Sequence, residues 1–171
     1  PKPSSAASDV YKRQVYEGTE KTKTFFVGET TDSQIYVIPD LTIDTTTIRV
    51  RVFDTSVSPT FDTYTNINKA TRITSTSTHY QIKEVPNGYY ELIFGDGTST
   101  GKAPSAGNKI VVDYLSTVGP AANGASVFST SAQVEGVDLV NVTSAAAAGG
   151  SFREGIESIR QNAPLYFTSQ R

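Results

Sequence analysis

The sequence contains no cysteine, no methionine and no tryptophan among its 171 residues. Without cysteine the chain has no disulfide framework, no thiolate metal site and no thiol nucleophile. The absence of methionine extends to position 1, which is proline. Either an initiator methionine has been removed, or the sequence is part of a longer chain.

Long hydrophobic runs and concentrated positive charge are also missing. No stretch of about 18 apolar residues occurs, so no membrane-spanning helix is expected. Lysine and arginine number 15 against 17 aspartates and glutamates, which gives a net charge of -2. Nucleic-acid-binding proteins usually carry a concentrated basic patch, and none is formed along this chain. We therefore expect neither a nucleic-acid nor a membrane partner.

The opening residues differ from the rest of the chain. Residues 1–14 show no periodicity that would bury one face, and residues 4–14 resemble a translated sequencing-adapter string. A string of this kind carries no information about the native fold, and a flexible native terminus is the alternative interpretation. We expect residues 1–14 to be a non-native or disordered leader and residues 15–143 to form a β-domain.

Alternation of apolar and polar residues predicts strands through most of the β-domain. The clearest case is Thr47–Asp54, where Ile and Val residues alternate with arginine, the period of a half-buried strand. The same alternation predicts strands at His79–Val85, Tyr89–Phe94 and Lys109–Leu115. Weaker strand signals occur at Thr24–Val27, Gln34–Ile38, Ala125–Thr130 and Val137–Val142.

Pro86-Asn87-Gly88 separates two of these strands and predicts a hairpin, because Asn and Gly adopt positive φ at low cost. Short strands separated by turn residues, with no helical pattern between them, favour an antiparallel β-sandwich or a barrel-like sheet. A parallel α/β sheet would need crossover helices, which the sequence does not show. The expected fold class is mainly β.

Residues 144–150 are rich in alanine and glycine and predict a linker or hinge, with a short helix end as the alternative. A helix is then expected to begin at Ser151, which forms a capping-box pattern with Glu154. Pro164 should end this helix, because proline has no amide hydrogen to donate.

Phe152, Ile156 and Ile159 follow at i, i+4 and i+7, which places them on one stripe of the predicted helix. A helix this short is not stable alone, so its apolar stripe needs a partner. Residues 151–171 are accordingly interpreted as this helix and the start of a truncated following domain, with packing inside that domain as an alternative to docking on a neighbour.

The sequence contains no catalytic, cofactor-binding or metal-binding motif. His79 is the single histidine, lies on the polar side of its predicted strand, and has no nearby Cys or second His for a zinc site. The stretch Gly95–Lys102 fails both phosphate-loop patterns, because Asp96 and Thr100 stand where glycines are required. Asp96 is better explained as a turn residue bonding its own backbone than as a calcium ligand. We expect no enzyme activity and no cofactor.

Two regions resemble the baseplate J-like wedge proteins of contractile-tailed phages, in particular the T-even-like myophages. The first is Tyr89–Gly97, a strand ending in F-G-D-G, followed by Gly107–Tyr114 and a small-residue segment at Gly119–Gly124. The second is Gly149–Pro164, which carries paired glycines and then I-R-Q-N-A-P, and continues to Arg171 with F-T-S-Q-R. Finding both regions in the family's order makes the resemblance more specific than either alone.

The resemblance implies a structural subunit of a phage tail baseplate, present in the virion and assembled in the host cytoplasm. Such wedge proteins join neighbouring copies and other wedge subunits into a ring. The expected partners are therefore other wedge subunits and copies of this chain, with no small-molecule substrate. The residues expected to take part in these protein contacts are Phe152, Ile156, Ile159, Arg160 and Phe167.

A glycan- or receptor-binding module of a tail fibre or adhesin is the alternative function. In that hypothesis Phe61, Tyr64 and Tyr89 would be exposed near loops and would stack on sugar rings. Loss of glycan binding on Tyr64→Ala would favour it. A hydrolase has no supporting group of residues.

Overall fold

The computed structural model describes residues 16–29, 34–127 and 145–168, and for residues 165–168 only the backbone. Seven strands form one mixed sheet in the order β1-β7-β3-β4-β5-β6-β2. The strands are β1 Thr19–Phe26, β2 Tyr36–Ile38, β3 Ile43–Phe53, β4 Phe61–Asn66, β5 His79–Glu84, β6 Tyr90–Phe94 and β7 Lys109–Ser116. Two short 3₁₀ helices, Ile67–Lys69 and Gly119–Ala122, and one α-helix, α1 Ile156–Thr168, complete the described elements.

The sheet curls into a nearly closed, barrel-like shape, so the predicted mainly β class is confirmed. The core consists of side chains that alternate along the strands toward the interior. Those that are fully buried are Ile38, Val50, Leu92, Ile110 and Val112. Burial of alternate residues is what period-two patterning predicts for a sheet with one solvated face.

The four clear strand predictions are confirmed as β3, β5, β6 and β7. The two weaker N-terminal signals are also strands, although β1 begins five residues before the predicted Thr24. β4 was missed, because its sequence F-D-T-Y-T-N buries a single side chain, Tyr64, and so has almost no apolar alternation. Residues 125–127 are not a strand, and the remainder of that prediction together with Val137–Val142 lies outside the described residues.

Pairing is antiparallel throughout the described sheet except between β4 and β5. These two strands run parallel over a short ladder in which Thr65 pairs with His79 and Asn66 with Tyr80. Residues 67–78 make the connection with a 3₁₀ helix and a loop, so the parallel pair needs no α-helical crossover. The sheet is therefore mixed, although the pattern of short strands and turns predicted only antiparallel neighbours.

The hairpin predicted at Pro86-Asn87-Gly88 is confirmed: Glu84 of β5 pairs with Tyr90 of β6. Gly88 has a φ of 83°, a value that residues with a side chain rarely adopt. Its amide donates to the carbonyl of Val85 at 2.8 Å and closes the turn.

The predicted bounds of the C-terminal helix are wrong at both ends. Residues 151–155 are not helical, and α1 begins at Ile156. Glu154 does not complete a capping box with Ser151; its carboxylate accepts hydrogen bonds from the side chains of Ser158 and Asn162, at 2.6 and 2.9 Å. Arg153, inside the predicted first turn, is bonded to Gly88 and Glu84 of the barrel, and the helix begins only after it.

Pro164 lies inside α1 and does not end it, since the helix continues to Thr168. A proline in a helix interior removes one backbone donor and is unfavourable by about 3 kcal/mol. This cost favours ending the helix before Pro164, but it is not large enough to do so here.

Candidate interaction surface

The two edge strands of the barrel, β1 and β2, meet along a line that we call the seam. Gln34, just before β2, bridges it: its side-chain amide donates to the carbonyl of Phe26 at 2.6 Å and accepts from the amide of Gly28 at 2.9 Å. This pair of bonds imitates one step of a strand ladder. A side chain thus satisfies backbone groups at the end of β1 that would otherwise form an open sheet edge.

A polar cluster closes the seam farther along. Asp40, which follows β2 and is 9% exposed, accepts from the ammonium of Lys21 on β1 at 2.8 Å. Its second oxygen accepts from the amide and the hydroxyl of Thr42, at 2.9 and 2.6 Å. The Thr42 hydroxyl also lies 2.6 Å from that of Ser116 on β7. Burial acts to raise the pKa of Asp40, but the hydrogen bonds from Lys21 and Thr42 outweigh it and hold that pKa well below its usual range.

A row of aromatic rings crosses the barrel interior beneath the seam. Phe25 of β1 meets Tyr36 of β2 edge to face at 5.5 Å, and Tyr36 meets Phe94 of β6 at 5.5 Å. Phe94 in turn meets Tyr64 of β4 at 5.4 Å. Edge-to-face pairs at these distances are favourable beyond their buried area. The row therefore links both edge strands to the centre of the sheet.

Tyr64 is 2% exposed and belongs to this core, and its hydroxyl lies 3.4 Å from the carbonyl of Lys102. Burial, with the nearby charge of Asp62, raises the pKa of Tyr64 to about 12. The hypothesis that Tyr64 is an exposed platform for stacking on glycans is wrong. Phe61 is 43% exposed and Tyr89 is half-buried.

Asp96 organises the loop that follows β6. One of its carboxylate oxygens accepts from the backbone amides of Thr98, Ser99 and Thr100 at 2.7 to 2.9 Å, and the other accepts from the Ser99 hydroxyl at 2.8 Å. These bonds hold the pKa of Asp96 far below its usual range, with the Thr100 amide contributing most. The interpretation of Asp96 as a turn residue that bonds its own backbone is confirmed, since the oxygens are already occupied by this loop.

Several other polar and charged side chains of the barrel have partners of their own. His79, half-buried at the start of β5, lies 2.9 Å from the Thr65 hydroxyl through Nδ1. A groove of about 510 Å³ on the outer face contains Arg51 and Asp113, which form an ion pair at 2.5 Å.

Within the ranges that the structure covers, no group of three or more His, Asp or Glu side chains is placed to hold a metal ion. No helix in the same ranges is long and apolar enough to span a membrane.

Residues 145–153, which we call the strap, run along the barrel before α1. The amide of Ala147 donates to the carbonyl of Ala125, and its carbonyl accepts from the amide of Gly124, both at 2.8 Å. The side chain of Asn123 then makes two bonds with Gly150, donating to its carbonyl at 2.7 Å and accepting from its amide at 2.9 Å. A side chain on Gly150 would overlap the carbonyl of Gly119, so only glycine allows this approach.

Arg153 fixes the last part of the strap to the β5–β6 hairpin. Its guanidinium donates to the carbonyl of Gly88 at 3.1 Å and forms an ion pair with Glu84. It also lies over the ring of Tyr90, 5.5 Å from the centroid. The bond to Glu84 raises the pKa of Arg153 above its already high value, so this cation stays charged at any accessible pH.

The five residues expected to make protein contacts lie at the C-terminal end of the described chain. Phe152 belongs to the strap and not to the helix, and it is 85% exposed. Ile156 and Ile159, on α1, are 69% and 49% exposed. Arg160 is exposed and donates to the Glu157 carboxylate at 2.7 Å. The side chain of Phe167 is not among those that the structure describes. Their role in binding stays a prediction.

Comparison with known proteins relates the chain to a phage protein. No model of a known protein family matches the chain. The chain is 31% identical over 109 residues to the baseplate wedge protein gp6 of Enterobacteria phage T4. It is related to a phage baseplate protein. The match covers 51% of this chain and 16% of the phage T4 protein, so the chain spans about a sixth of that relative.

The two regions that carry the wedge-protein resemblance meet in the fold at the strap. Arg153 of the second region lies over the ring of Tyr90 in the first, and Gly150 of the second region is bonded to Asn123 in the small-residue segment of the first. β7, which also belongs to the first region, pairs with β3 and β1 and not with β6. Sequence reasoning missed Asn123, Gln34 and Asp40, because their partners lie elsewhere along the chain and no local pattern marks them.

Proposed function

We propose that this chain is a structural component of a contractile phage tail baseplate, a wedge subunit of the baseplate J-like kind. It is incorporated in the virion after assembly in the host cytoplasm. Its role is to join neighbouring baseplate proteins, including copies of itself, into a ring, and it catalyses no reaction. The observation that carries this proposal is the sequence identity with the phage T4 baseplate wedge protein.

The arrangement of the motif residues supports the same proposal. Arg153, which lies between the paired glycines and the I-R-x-N-A-P sequence, contacts Gly88 and Tyr90 at the start of the strand that ends in F-G-D-G. Gly150, from the paired glycines, contacts Asn123 in the small-residue segment. Residues that form one connected structure explain why the motifs occur together, whereas a chance match of short motifs would have no reason to make contact.

The proposed contact surface comprises the exposed side chains of Phe152 in the strap and of Ile156 and Ile159 on α1, together with Arg160 and Phe167. Large apolar side chains left exposed on a short helix, as those of Ile156 and Ile159 are, are typical of helices that bury them against another subunit or domain. The strap that precedes the helix is bonded to the barrel, so the stripe is presented from a fixed starting point.

Co-expression with the tail proteins encoded beside the reading frame tests the proposal. We expect the chain to elute from a size-exclusion column as a complex with at least one wedge partner or as an oligomer of itself. A monomer that associates with none of these proteins contradicts the baseplate role.

Variants of the helix test the surface separately from the role. Ile156→Asp combined with Ile159→Asp should abolish the complex, because charged side chains cannot be buried in an apolar contact without a large penalty. Gln161→Asp, a matched change on an exposed residue of the same helix, should leave the complex intact. A complex that survives the double change places the interface elsewhere and leaves the wedge role standing.

A further inference from the structure

The strap is bonded to the barrel at three successive places. Ala147 pairs with the backbone of residues 124 and 125, Gly150 is held by Asn123, and Arg153 is held by Glu84, Gly88 and Tyr90. The bonds at Ala147 and Gly150 lie inside the alanine- and glycine-rich stretch that the sequence indicates as a hinge. A segment with bonds at this spacing has little freedom to rotate as a linker.

The helix that follows has the opposite character. All the described side chains in residues 156–164 are exposed except that of Ser158, which is half-buried, so the helix does not pack into the barrel core. Glu154 belongs with the helix, because its carboxylate bonds Ser158 and Asn162. Arg153, its immediate neighbour in the chain, belongs with the barrel.

Gly155 lies at the junction of these two bodies. A methyl group added at this position would have no heavy atom within 4 Å apart from its chain neighbours, so the surrounding structure does not restrain it. Glycine also has the widest choice of backbone conformations. By contrast, a side chain at Gly150 would overlap Gly119, which shows how closely the strap is packed.

We propose that the chain turns at Glu154–Gly155 and that the strap is a fixed extension of the barrel. Rotation of α1 relative to the barrel takes place at this single point, and Ala145–Gly150 moves with the barrel. Arg153 is the residue that sets the boundary, since it is the last side chain of the strap with bonds to the hairpin. The proposal does not depend on the baseplate role.

Distance measurements between spin labels on the full 171-residue chain test this directly. The sequence has no cysteine, so labels attach only where cysteine is introduced. One pair, Thr63→Cys with Ala148→Cys, reports on barrel and strap; a second, Thr63→Cys with Gln161→Cys, reports on barrel and helix. We expect a narrow distance distribution for the first pair and a broad one for the second.

Two matched backbone variants locate the turning point. Gly155→Ala should narrow the barrel-to-helix distribution, because alanine restricts the backbone at the junction. Ala145→Gly, which adds the same freedom inside the predicted hinge, should leave it unchanged. A barrel-to-strap distribution as broad as the barrel-to-helix one overturns the proposal, as does broadening by Ala145→Gly without an effect of Gly155→Ala.

Removal of the boundary residue gives a further readout. Arg153→Gln removes the ion pair with Glu84 and the contact with Tyr90, so the last part of the strap should gain freedom and the barrel-to-helix distribution should broaden. Arg160→Gln is the control, because Arg160 bonds only within the helix among the contacts described. Circular dichroism confirms that α1 is retained in each variant. An unchanged distribution in Arg153→Gln contradicts the boundary.

Discussion

The ammonium group of Lys21 lies 2.8 Å from a carboxylate oxygen of Asp40, across the seam where β1 and β2 are not hydrogen-bonded to each other. The Asp40 side chain is 9% exposed and that of Lys21 is 47% exposed. A buried carboxylate must have donors around it, and three surround this one. The nearly closed barrel is therefore joined at its edges by side chains in place of a strand ladder.

The seam ion pair should contribute to stability at neutral pH. Asp40→Asn keeps the size of the side chain but removes the charge that faces Lys21, and we expect it to lower the free energy of unfolding by about 2 kcal/mol. Urea denaturation followed by tyrosine fluorescence measures this. Asp62→Asn is the control, because the Lys102–Asp62 pair is solvent-exposed on both sides and should contribute less than about 1 kcal/mol. Equal losses in the two variants would contradict a special role for the seam.

The same carboxylate predicts a pH dependence. The hydrogen bonds from Lys21 and Thr42 hold the folded-state pKa of Asp40 below its unfolded value of about 4. The stabilisation that the Asp40 carboxylate gives to the folded state is therefore complete above that unfolded pKa. It is lost as the pH falls from there toward the lower folded pKa. The stability difference between the wild type and Asp40→Asn should shrink between pH 5 and pH 2 (roughly the window in which such a group takes up its proton). A difference that stays constant over this range contradicts the assignment.

The side-chain amide of half-buried Gln34 should contribute to stability through its two bonds across the seam. Gln34→Ala leaves the carbonyl of Phe26 and the amide of Gly28 without their seam partner, and we expect a loss of about 1 kcal/mol. In the same variant, hydrogen exchange at the Gly28 amide should be faster, because the Gln34 side chain accepts the hydrogen bond of that amide in the wild type. Gln81→Ala, on an exposed position of β5, is the comparison and should change neither quantity.

Much of the barrel is predictable from the sequence, and the reason is burial of one face. Strands such as β3 and β7 place every second side chain in the core, so that Val50 and Ile110 are fully buried and the alternation is unmistakable. β4 escapes prediction because it lies between neighbours that supply most of the apolar surface, and Tyr64 is its single buried side chain. A strand of this kind is fixed by its partners and not by its own pattern.

The closure of the barrel and the start of the helix are not predictable in this way. Lys21 and Asp40 are separated along the chain, and neither belongs to a motif. At the helix, Ser151 and Glu154 satisfy a local capping pattern, yet Arg153 between them is bonded to the hairpin. The tertiary contact prevails, because a local preference of about 1 kcal/mol is smaller than the combined ion pair, hydrogen bond and ring contact.

The burial of Tyr64 bears on the hypothesis of a glycan-binding module. Because its ring is buried against Phe94, Tyr64→Ala should leave a cavity and lower the free energy of unfolding by about 3 to 5 kcal/mol. Phe61→Ala, on the same strand but 43% exposed, should lower it much less. Thermal unfolding of both variants measures the difference. A Tyr64→Ala protein of unchanged stability would show that the ring is not part of the core.

The close approach of Gly95 and Gly101 should be the least tolerant point in the Asp96 loop. A side chain on Gly95 would overlap the carbonyl of Gly101, and that carbonyl also accepts from the amide of Gly97 at 2.8 Å. Since backbone atoms on both sides must move, we expect Gly95→Ala to lower the free energy of unfolding by about 3 kcal/mol. Gly155→Ala adds the same methyl group in open space and should change it by less than about 0.5 kcal/mol. Urea denaturation of the two variants, each compared with the wild type, measures these changes. If alanine is equally harmless at both positions, Gly95 and Gly101 are not in close contact in the Asp96 loop.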